Sequence, residues 1–434
     1  MSFPFEKYQN ALAKAETIRL SGKVTQVVGL IVEATGPQMS VGEVGRISTP
    51  NGFLPCEVVG FRRGAVLMMP LIQTEGIRQG SEVIPLGRQL TAPAGDRLLG
   101  RILDGLGEPI DEKGPLPDGL ARVPINRDPP SPFSRKRISS ILGTGVKVID
   151  TLLTLGRGQR IGIFAGSGVG KSTLMGMISR SSQADVNVIG LVGERGREVR
   201  EFIEKDLGVE GLKRSVVVVA TSDRPALVRI KAAYTATAIA EYFRDQGKNV
   251  ILMMDSVTRF ALAQREVGLA VGEPPTTRGY TPSVFSLLPR LLERAGTSSH
   301  GTITGIYTVL VEGGDMDEPV ADAVRGILDG HFVLTRELAQ QNVYPAIDIL
   351  QSISRLMPDI CTKRHMDAAN RIRDLYATYQ QAADLINIGA YKAGTNPKID
   401  EAVQKMPKIT EFIKQGIKEA VPAEVSMKAI EGLV

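Results

Sequence analysis

The 434-residue sequence predicts an α/β fold with a small N-terminal β-barrel, a central, mostly parallel sheet covered by helices, and a C-terminal helical domain. Short β-favouring runs separated by glycine-containing turns fill residues 21–92, as is typical of a small barrel. Compact apolar runs alternate with segments of helical composition in residues 93–358, which indicates a parallel sheet between helices. The β pattern fades in residues 359–434, where apolar residues recur at helical spacing. Residues 1–20 form a separate segment before the barrel.

Individual runs support this division. A proline- and glycine-rich stretch at 104–134 predicts a linker or wrapping segment at the start of the central domain. A short helix is expected over residues 5–18, and Asn396 followed by Pro397 is typical of a helix start. The apolar residues Ile409 and Ile417 continue that helical pattern. The predicted barrel strands are 23–28, 41–47, 56–61, 65–69 and 82–86, and the predicted central strands are 161–165, 186–192, 216–220 and 250–254.

The composition excludes several classes of protein. Hydrophobic residues make up 43% and charged residues 23%, which is ordinary for a globular chain and argues against disordered or fibrous classes. The widely separated Cys56 and Cys361 fit a reducing compartment. No apolar signal segment stands at the N-terminus, and no run approaches the ~20 apolar residues of a membrane span. We therefore expect a cytoplasmic protein, and a net charge of +5 gives no evidence of nucleic-acid binding.

The strongest motif is AGSGVGKST, which directly follows an apolar strand and opens a helical stretch. Its glycines let successive backbone N–H groups face one anion, and the helix N-terminus adds positive charge. Lys171 would contact the β- and γ-phosphates, and Ser172 would offer its hydroxyl to Mg²⁺. Ala165 replaces the first glycine of the usual pattern, with Gly166 next to it. The motif predicts ATP and Mg²⁺ as ligands at Gly166, Ser167, Gly168, Val169, Gly170, Lys171, Ser172 and Thr173.

Two acidic residues follow other predicted strands. Asp255 ends the run VILMMD, at the sheet edge where open α/β sheets bind nucleotides, and would hold the Mg²⁺ shell through water. Alone, Asp255 would equally be a strand-end cap. Glu194 lies in GERGREVREF, just past a strand, where it would polarise the attacking water. By spacing alone, this segment also fits a solvated charge cluster.

The segment VYPAIDILQSISRLMPD carries two further candidates. Tyr344 would stack on an adenine ring, a contact of about 1–3 kcal/mol per base. Arg355 would act as an arginine finger. By residue type alone, a core tyrosine and a surface arginine are the more common interpretations.

Together, these segments resemble the ATPases of type III protein export, relatives of the α and β subunits of rotary F- and V-type ATPases. The resemblance covers essentially the whole chain and depends most on GERGREVREF, on VYPAIDILQSISR and on the segment from Asp255 that begins DSVTRFALAQREVGLAVGEPP. It implies a RecA-like P-loop ATPase domain in residues 93–358. The loop FAGSGVGKS is more similar to flagellar members than to members from injectisomes.

The resemblance also implies a role for each candidate residue. It assigns catalysis to Glu194, Lys171, Arg195 and Arg355, the metal and its water shell to Ser172, Asp255 and Glu198, and adenine stacking to Tyr344. In the rotary enzymes, the glutamate and the finger arginine are divided between two kinds of subunit. One chain with both can form a homohexamer with six competent sites.

The resemblance implies a ring at the base of an export apparatus, located peripherally at the inner face of the bacterial membrane. It also implies the partners of such a ring. They are a stator-like regulatory protein bound by residues 1–20, a central stalk protein, the membrane export gate, and complexes of export substrates with chaperones. No specific nucleic acid is expected.

Four alternatives stay open at this point. A virulence secretion ATPase would share all the motifs. A rotary pump subunit is disfavoured because Glu194 and Arg355 occur in one chain with a short helical C-terminus. A translocase resembling the terminator Rho would bind single strands on barrel aromatics, but residues 21–90 offer only Phe53 and Phe61. A non-catalytic nucleotide-binding scaffold is disfavoured by the intact Lys171 and Glu194.

Overall fold

A computed structural model describes residues 5, 9, 20–73 and 75–433, and the chain divides into two compact units, Met1–Leu90 and Thr91–Val434. The predicted helix over 5–18 and the predicted regulator-binding segment 1–20 lie outside the described residues, except for residues 5, 9 and 20. Among the described residues, no helix has the length and apolar character needed to cross a bilayer.

The described part of the first unit forms a closed six-stranded barrel, which confirms the predicted barrel. Its antiparallel strands follow the order β1-β2-β5-β4-β3-β6. The interior is apolar because alternate residues point inward, as with Ile47, Val58 and Met68. The six barrel strands are β1 Gly22–Val28, β2 Ile31–Thr35, β3 Glu43–Thr49, β4 Gly52–Arg62, β5 Ala65–Pro70 and β6 Glu82–Gln89.

Strand β2 was not among the predicted runs. It has only five residues and forms a hairpin with β1 through a turn in which Val28 pairs with Ile31. The turn contains Gly29 with φ of 56°, a left-handed conformation that glycine adopts without strain. Short strands of this kind depend on pairing with neighbours, and β2 is held between β1 and β5.

The second unit contains the predicted mostly parallel sheet, with helices on its faces. Among the described residues, its strands follow the order β17-β16-β10-β15-β13-β11-β12-β8, and β14 pairs with β15. Pairing is parallel except for β14 and β17. The bounds are β8 Ile102–Asp104, β10 Arg160–Ala165, β11 Val186–Val192, β12 Ser215–Ala220, β13 Asn249–Asp255, β14 Gly296–Thr297, β15 Thr302–Leu310, β16 Gly330–Leu334 and β17 Ile347–Ser354.

The proline- and glycine-rich stretch is structured along its length. Strand β9, Ala121–Pro124, pairs with β7, Thr91–Ala94, and β8 joins the edge of the main sheet next to β12. Arg294, fully buried, pairs with Glu241 and donates a hydrogen bond of 2.7 Å to the carbonyl of Ile125. The segment therefore wraps along the second unit, and a buried arginine held by an ion pair fixes it there through a hydrogen bond to the segment's backbone.

The helices fall into three groups along the chain. Those before the last sheet strands are α1 Lys147–Leu152, α2 Lys171–Ser181, α3 Gly196–Glu201, α4 Gly208–Lys213, α5 Ala226–Asp245, α6 Val257–Val271 and α7 Pro282–Leu292. A π-helical turn, Phe202–Leu207, joins α3 to α4. The helices around the last strands are α8 Pro319–Ile327, α9 Arg336–Gln340 and α10 Met357–Ile360, and the C-terminal helices are α11 Lys363–Asn387, α12 Pro397–Ile413 and α13 Ala423–Glu431.

The C-terminal helices share a core with the sheet. Ile372 of α11 and Ile409 of α12 belong to the same buried cluster as Ile163 of β10. Helix α12 begins as predicted, because the Asn396 side chain accepts a hydrogen bond of 3.0 Å from the backbone N–H of Lys398. It ends at Ile413, so Ile417 lies in the following loop and does not continue the helix.

Candidate nucleotide site

The loop between β10 and α2 has the backbone that phosphate binding requires. Gly168 and Gly170 have φ of 80° and 95°, which residues with a Cβ atom adopt only with strain. Val169 between them is buried and anchors the loop to the core. Gly170 immediately precedes α2, so the loop ends at a helix N-terminus whose free N–H groups favour an anion.

Lys171 lies between two carboxylates from neighbouring strands. Its ammonium group pairs with Asp255, the last residue of β13, and lies 3.7 Å from Glu194, which follows β11. The hydroxyl of Thr308 on β15 donates a hydrogen bond of 2.7 Å to Asp255. The parallel strands end at the same edge of the sheet, and this brings groups up to 137 positions apart in the chain into one cluster.

Glu194 is a buried carboxylate with a perturbed pKa. Burial, together with the negative charge of Asp255, raises the pKa of Glu194 to about 7, and the positive charge of Lys171 opposes the rise. Oε1 of Glu194 accepts no hydrogen bond among the described residues and lies 3.9 Å from Nε of Arg259. The same Oε1 lies 3.7 Å from the Lys171 ammonium. A carboxylate with a raised pKa whose oxygen makes long ion pairs but no hydrogen bond is suited to accept a proton from a bound water.

These groups line a cleft of about 720 Å³. Arg195 and Glu198 lie at its exposed side, with 3.4 Å between Nη1 and Oε1. Arg259 and Arg336, which were not predicted from the sequence, also line the cleft. Arg259 is on α6 and Arg336 opens α9, each just past a strand end, and that position was the signal that would have found them.

The donor set fits a Mg²⁺ ion that arrives with a nucleotide. Within the described residues, no group of three or more His, Cys, Asp or Glu side chains is placed to hold a metal ion. Mg²⁺ commonly keeps several waters and uses one or two carboxylates together with substrate phosphates. Ser172, Glu198 and the buried Asp255 line the cleft and supply oxygen ligands of this kind. Phosphate oxygens would complete the shell.

A second cavity, of about 590 Å³, adjoins the loop on the side of Tyr344. Tyr344 is 40% exposed, so it is not a core residue, and a Cβ atom on Gly170 would lie 3.8 Å from its ring. The loop after α12 forms the far wall, where the backbone N–H of Gln415 donates a hydrogen bond of 2.8 Å to the carbonyl of Tyr344. This wall was not predicted from the sequence.

We expect Tyr344→Ala to weaken ATP binding by about 1–3 kcal/mol and Tyr344→Phe to change it little, because stacking requires the ring and not the hydroxyl. The chain contains no tryptophan, so Tyr344→Trp provides a single fluorescent probe. Its emission should change on addition of ATP but not of inorganic triphosphate. An equal response to both, or loss of folding in the alanine variant, would contradict stacking.

Arg355 lies at the opposite edge of the sheet from its own phosphate loop. Its backbone N–H donates to the carbonyl of Asp329, which neighbours Arg160 at the start of β10. The phosphate loop begins at the other end of β10, after Ala165. At about 3.3 Å per residue, the strand places that end about 16 Å from Arg160. The side chain of Arg355 is exposed. The structure therefore separates Arg355 from the cluster of Lys171, Glu194 and Asp255.

Comparison with known proteins covers most of the chain. Residues 145–354 match the nucleotide-binding domain of the ATP synthase alpha/beta family, residues 24–87 match its beta-barrel domain, and residues 361–432 match the T3SS EscN ATPase C-terminal domain. A flagellum-specific ATP synthase of Bacillus subtilis is 57% identical over 98% of this chain and 97% of its own. A type 3 secretion system ATPase of Xanthomonas euvesicatoria is 53% identical over 94% and 92%.

A solved structure agrees with these matches. The assembled ATPase EscN from the type III secretion system of enteropathogenic E. coli has a TM-score of 0.90 at 47% identity, over 95% of this chain and 99% of that chain. EscN in complex with its central stalk EscO gives a TM-score of 0.89. The chain therefore belongs to the ATP synthase alpha/beta family of P-loop ATPases, in the group of flagellum-specific and type 3 secretion system enzymes.

Proposed function

We propose that this protein hydrolyses Mg²⁺-bound ATP to energise type III export of flagellar components. The observation that carries the proposal is the cluster in which Lys171 lies between Asp255 and Glu194, directly behind the phosphate loop. Within one cleft, Lys171 supplies a positive charge that binds phosphates, and Asp255 supplies a carboxylate for the water shell of the metal. Glu194 supplies a carboxylate with a raised pKa that can accept a proton from water.

Each group has a separate task in the proposed reaction. The loop N–H groups and Lys171 bind the β- and γ-phosphates, and the Lys171 ammonium exchanges part of its pairing with Asp255 for phosphate oxygens. Mg²⁺, when bound, neutralises charge on the phosphates. Glu194 orients a water in line with the γ-phosphorus and accepts its proton, for which its Oε1, not hydrogen-bonded among the described residues, is suited. Arg195 and Glu198 complete the exposed side of the cleft.

The proposed active form is a homohexamer in which Arg355 acts on the neighbouring subunit. This follows from two observations: Arg355 is exposed, and it lies a whole strand away from its own phosphate loop. An arginine that cannot reach the phosphate loop of its own subunit can act only on the site of a neighbouring subunit, as in a ring. The assembled state of EscN, over a chain of nearly equal length, supports such a ring.

We also propose the domain boundaries, the location in the cell and the binding partners. Residues 93–358 would be the ATPase domain, residues 21–92 the barrel and residues 359–434 the helical domain. The ring would be cytoplasmic, at the inner face of the bacterial membrane. A central stalk protein is supported by the complex of EscN with EscO. The stator-like regulator at residues 1–20, the export gate and the substrate–chaperone complexes follow from the family resemblance.

A virulence secretion ATPase is the second candidate, because the Xanthomonas euvesicatoria enzyme is 53% identical, close to the 57% of the Bacillus subtilis flagellar protein. The two functions separate by complementation. We expect the gene to restore motility to Bacillus subtilis lacking its relative, and not to restore secretion to Xanthomonas euvesicatoria lacking its own. The reverse result would contradict the flagellar assignment.

We expect Glu194→Gln to bind ATP almost normally while hydrolysis nearly stops. Glutamine keeps the size of the side chain but cannot accept the proton of the attacking water. Nucleotide binding by fluorescence and steady-state phosphate release measure the two effects separately. Glu201→Gln, at the exposed rim of the same cleft, is the control and should retain turnover. Loss of binding with normal turnover per bound ATP would make Glu194 a structural residue.

A further inference from the structure

Gln159 is a fully buried amide immediately before β10, and its side chain makes three hydrogen bonds. Its Nε2 donates to the hydroxyl of Ser354 at 3.0 Å and to the carbonyl of Asp329 at 3.2 Å. Its Oε1 accepts from the backbone N–H of Gly156 at 2.9 Å. A buried amide with all these bonds made holds its partners in fixed positions, since breaking any one leaves a polar group unpaired.

Both acceptors of the Gln159 Nε2 group adjoin Arg355. Ser354 is the preceding residue, and its hydroxyl in turn donates a hydrogen bond of 2.7 Å to the carbonyl of Thr154. The carbonyl of Asp329 also accepts the backbone N–H of Arg355 at 3.0 Å. Gln159 therefore holds in place the backbone that carries the Arg355 side chain.

The side chain of Arg355 has little support of its own. It is exposed, and its Nη2 makes one long contact of 3.5 Å to the carbonyl of Arg325. The direction in which the Arg355 side chain points therefore depends on the position of the backbone at Ser354 and Arg355. A displacement of about 1 Å in a group that acts on a reacting centre can reduce a rate by about 10²-fold.

We propose that Gln159 is a positioning residue that sets the aim of Arg355 toward the site of the next subunit. The proposal rests on the proposed function, in which Arg355 acts between subunits. It also relates β10 to both sites, since Gln159 immediately precedes the strand and the phosphate loop follows its last residue. One short strand then connects the site that a subunit contains with the site that it assists.

The first experiment measures kinetics on full-length rings. Gln159→Met keeps the length of the side chain without the amide, and Ser354→Ala removes its hydroxyl partner. Both should lower kcat by about 10²-fold while KM for ATP stays within twofold. Asn187→Leu is the matched control, because Asn187 is also a fully buried amide but donates to the carbonyl of Ser179. It should retain kcat even if its melting temperature falls. Equal loss in all three, or a raised KM, would overturn the proposal.

The second experiment mixes variants and assigns the defect to one side of the interface. Gln159→Met mixed with Lys171→Ala should regain activity, because an intact phosphate loop then meets a well-aimed finger. Gln159→Met mixed with Arg355→Ala should regain none. The inverse pattern would show that Gln159 supports its own phosphate loop and would overturn the proposal. Arg355→Ala mixed with Lys171→Ala is the reference. If only this reference recovers, the finger acts between subunits but Gln159 does not position it.

Discussion

Arg355→Ala is expected to lower ATP turnover by about 10³–10⁵-fold while nucleotide binding stays nearly intact. An arginine finger contributes about this factor because its fixed guanidinium neutralises charge that spreads over the transferring phosphoryl group. The loss corresponds to about 4–7 kcal/mol of barrier. Lysine keeps the charge but lacks the planar fork, so Arg355→Lys should also be impaired. Arg364→Ala, which removes an exposed arginine paired with Glu431, is the control.

The location of Arg355 gives this prediction a second part. If Arg355 acts between subunits, dilution that dissolves rings should lower the specific activity of the wild-type protein. Arg355→Ala and Lys171→Ala subunits, each inactive alone, should regain partial activity when mixed, since some intact loops will adjoin an intact finger. Mixed rings that form but stay inactive, together with activity independent of concentration, would show that Arg355 does not act across the interface.

Lys171→Ala is expected to abolish both nucleotide binding and turnover. Lys171 is the one full positive charge contributed by the loop, and it lies between the buried carboxylates of Asp255 and Glu194. Its removal leaves the negative charge of Asp255 without its partner and facing the phosphates, so repulsion adds to the lost attraction. Binding is measured by nucleotide fluorescence and turnover by phosphate release. Lys213→Ala, at an exposed pair with Glu210, should retain both. Near-normal turnover of Lys171→Ala would contradict the site.

Much of the fold was predictable because its information is local. Strands β11 and β13 are continuous apolar runs, as expected of strands buried on both faces. The phosphate loop is read from glycine spacing beside such a strand. Strand β2, IVEAT, was missed because Glu33 interrupts its short apolar run, and the strands that hold it lie elsewhere in the sequence.

The sequence by itself determined which chemistry the chain can perform. Gly168 and Gly170 are required by their left-handed backbone, and Lys171, Glu194 and Asp255 follow strands that must end at one edge. These inferences need only chain direction, periodicity and residue type. They identify the cluster before any distance is known.

Only the tertiary structure decided what surrounds that cluster. The strand order brought Thr308 to it, and the loop after α12 folded back to form a wall beside Tyr344. The antiparallel return of β17 carried Arg355 to the far edge of the sheet. Such contacts join residues far apart in the chain, and no local pattern encodes them. They arise because burying one shared core brings distant segments together.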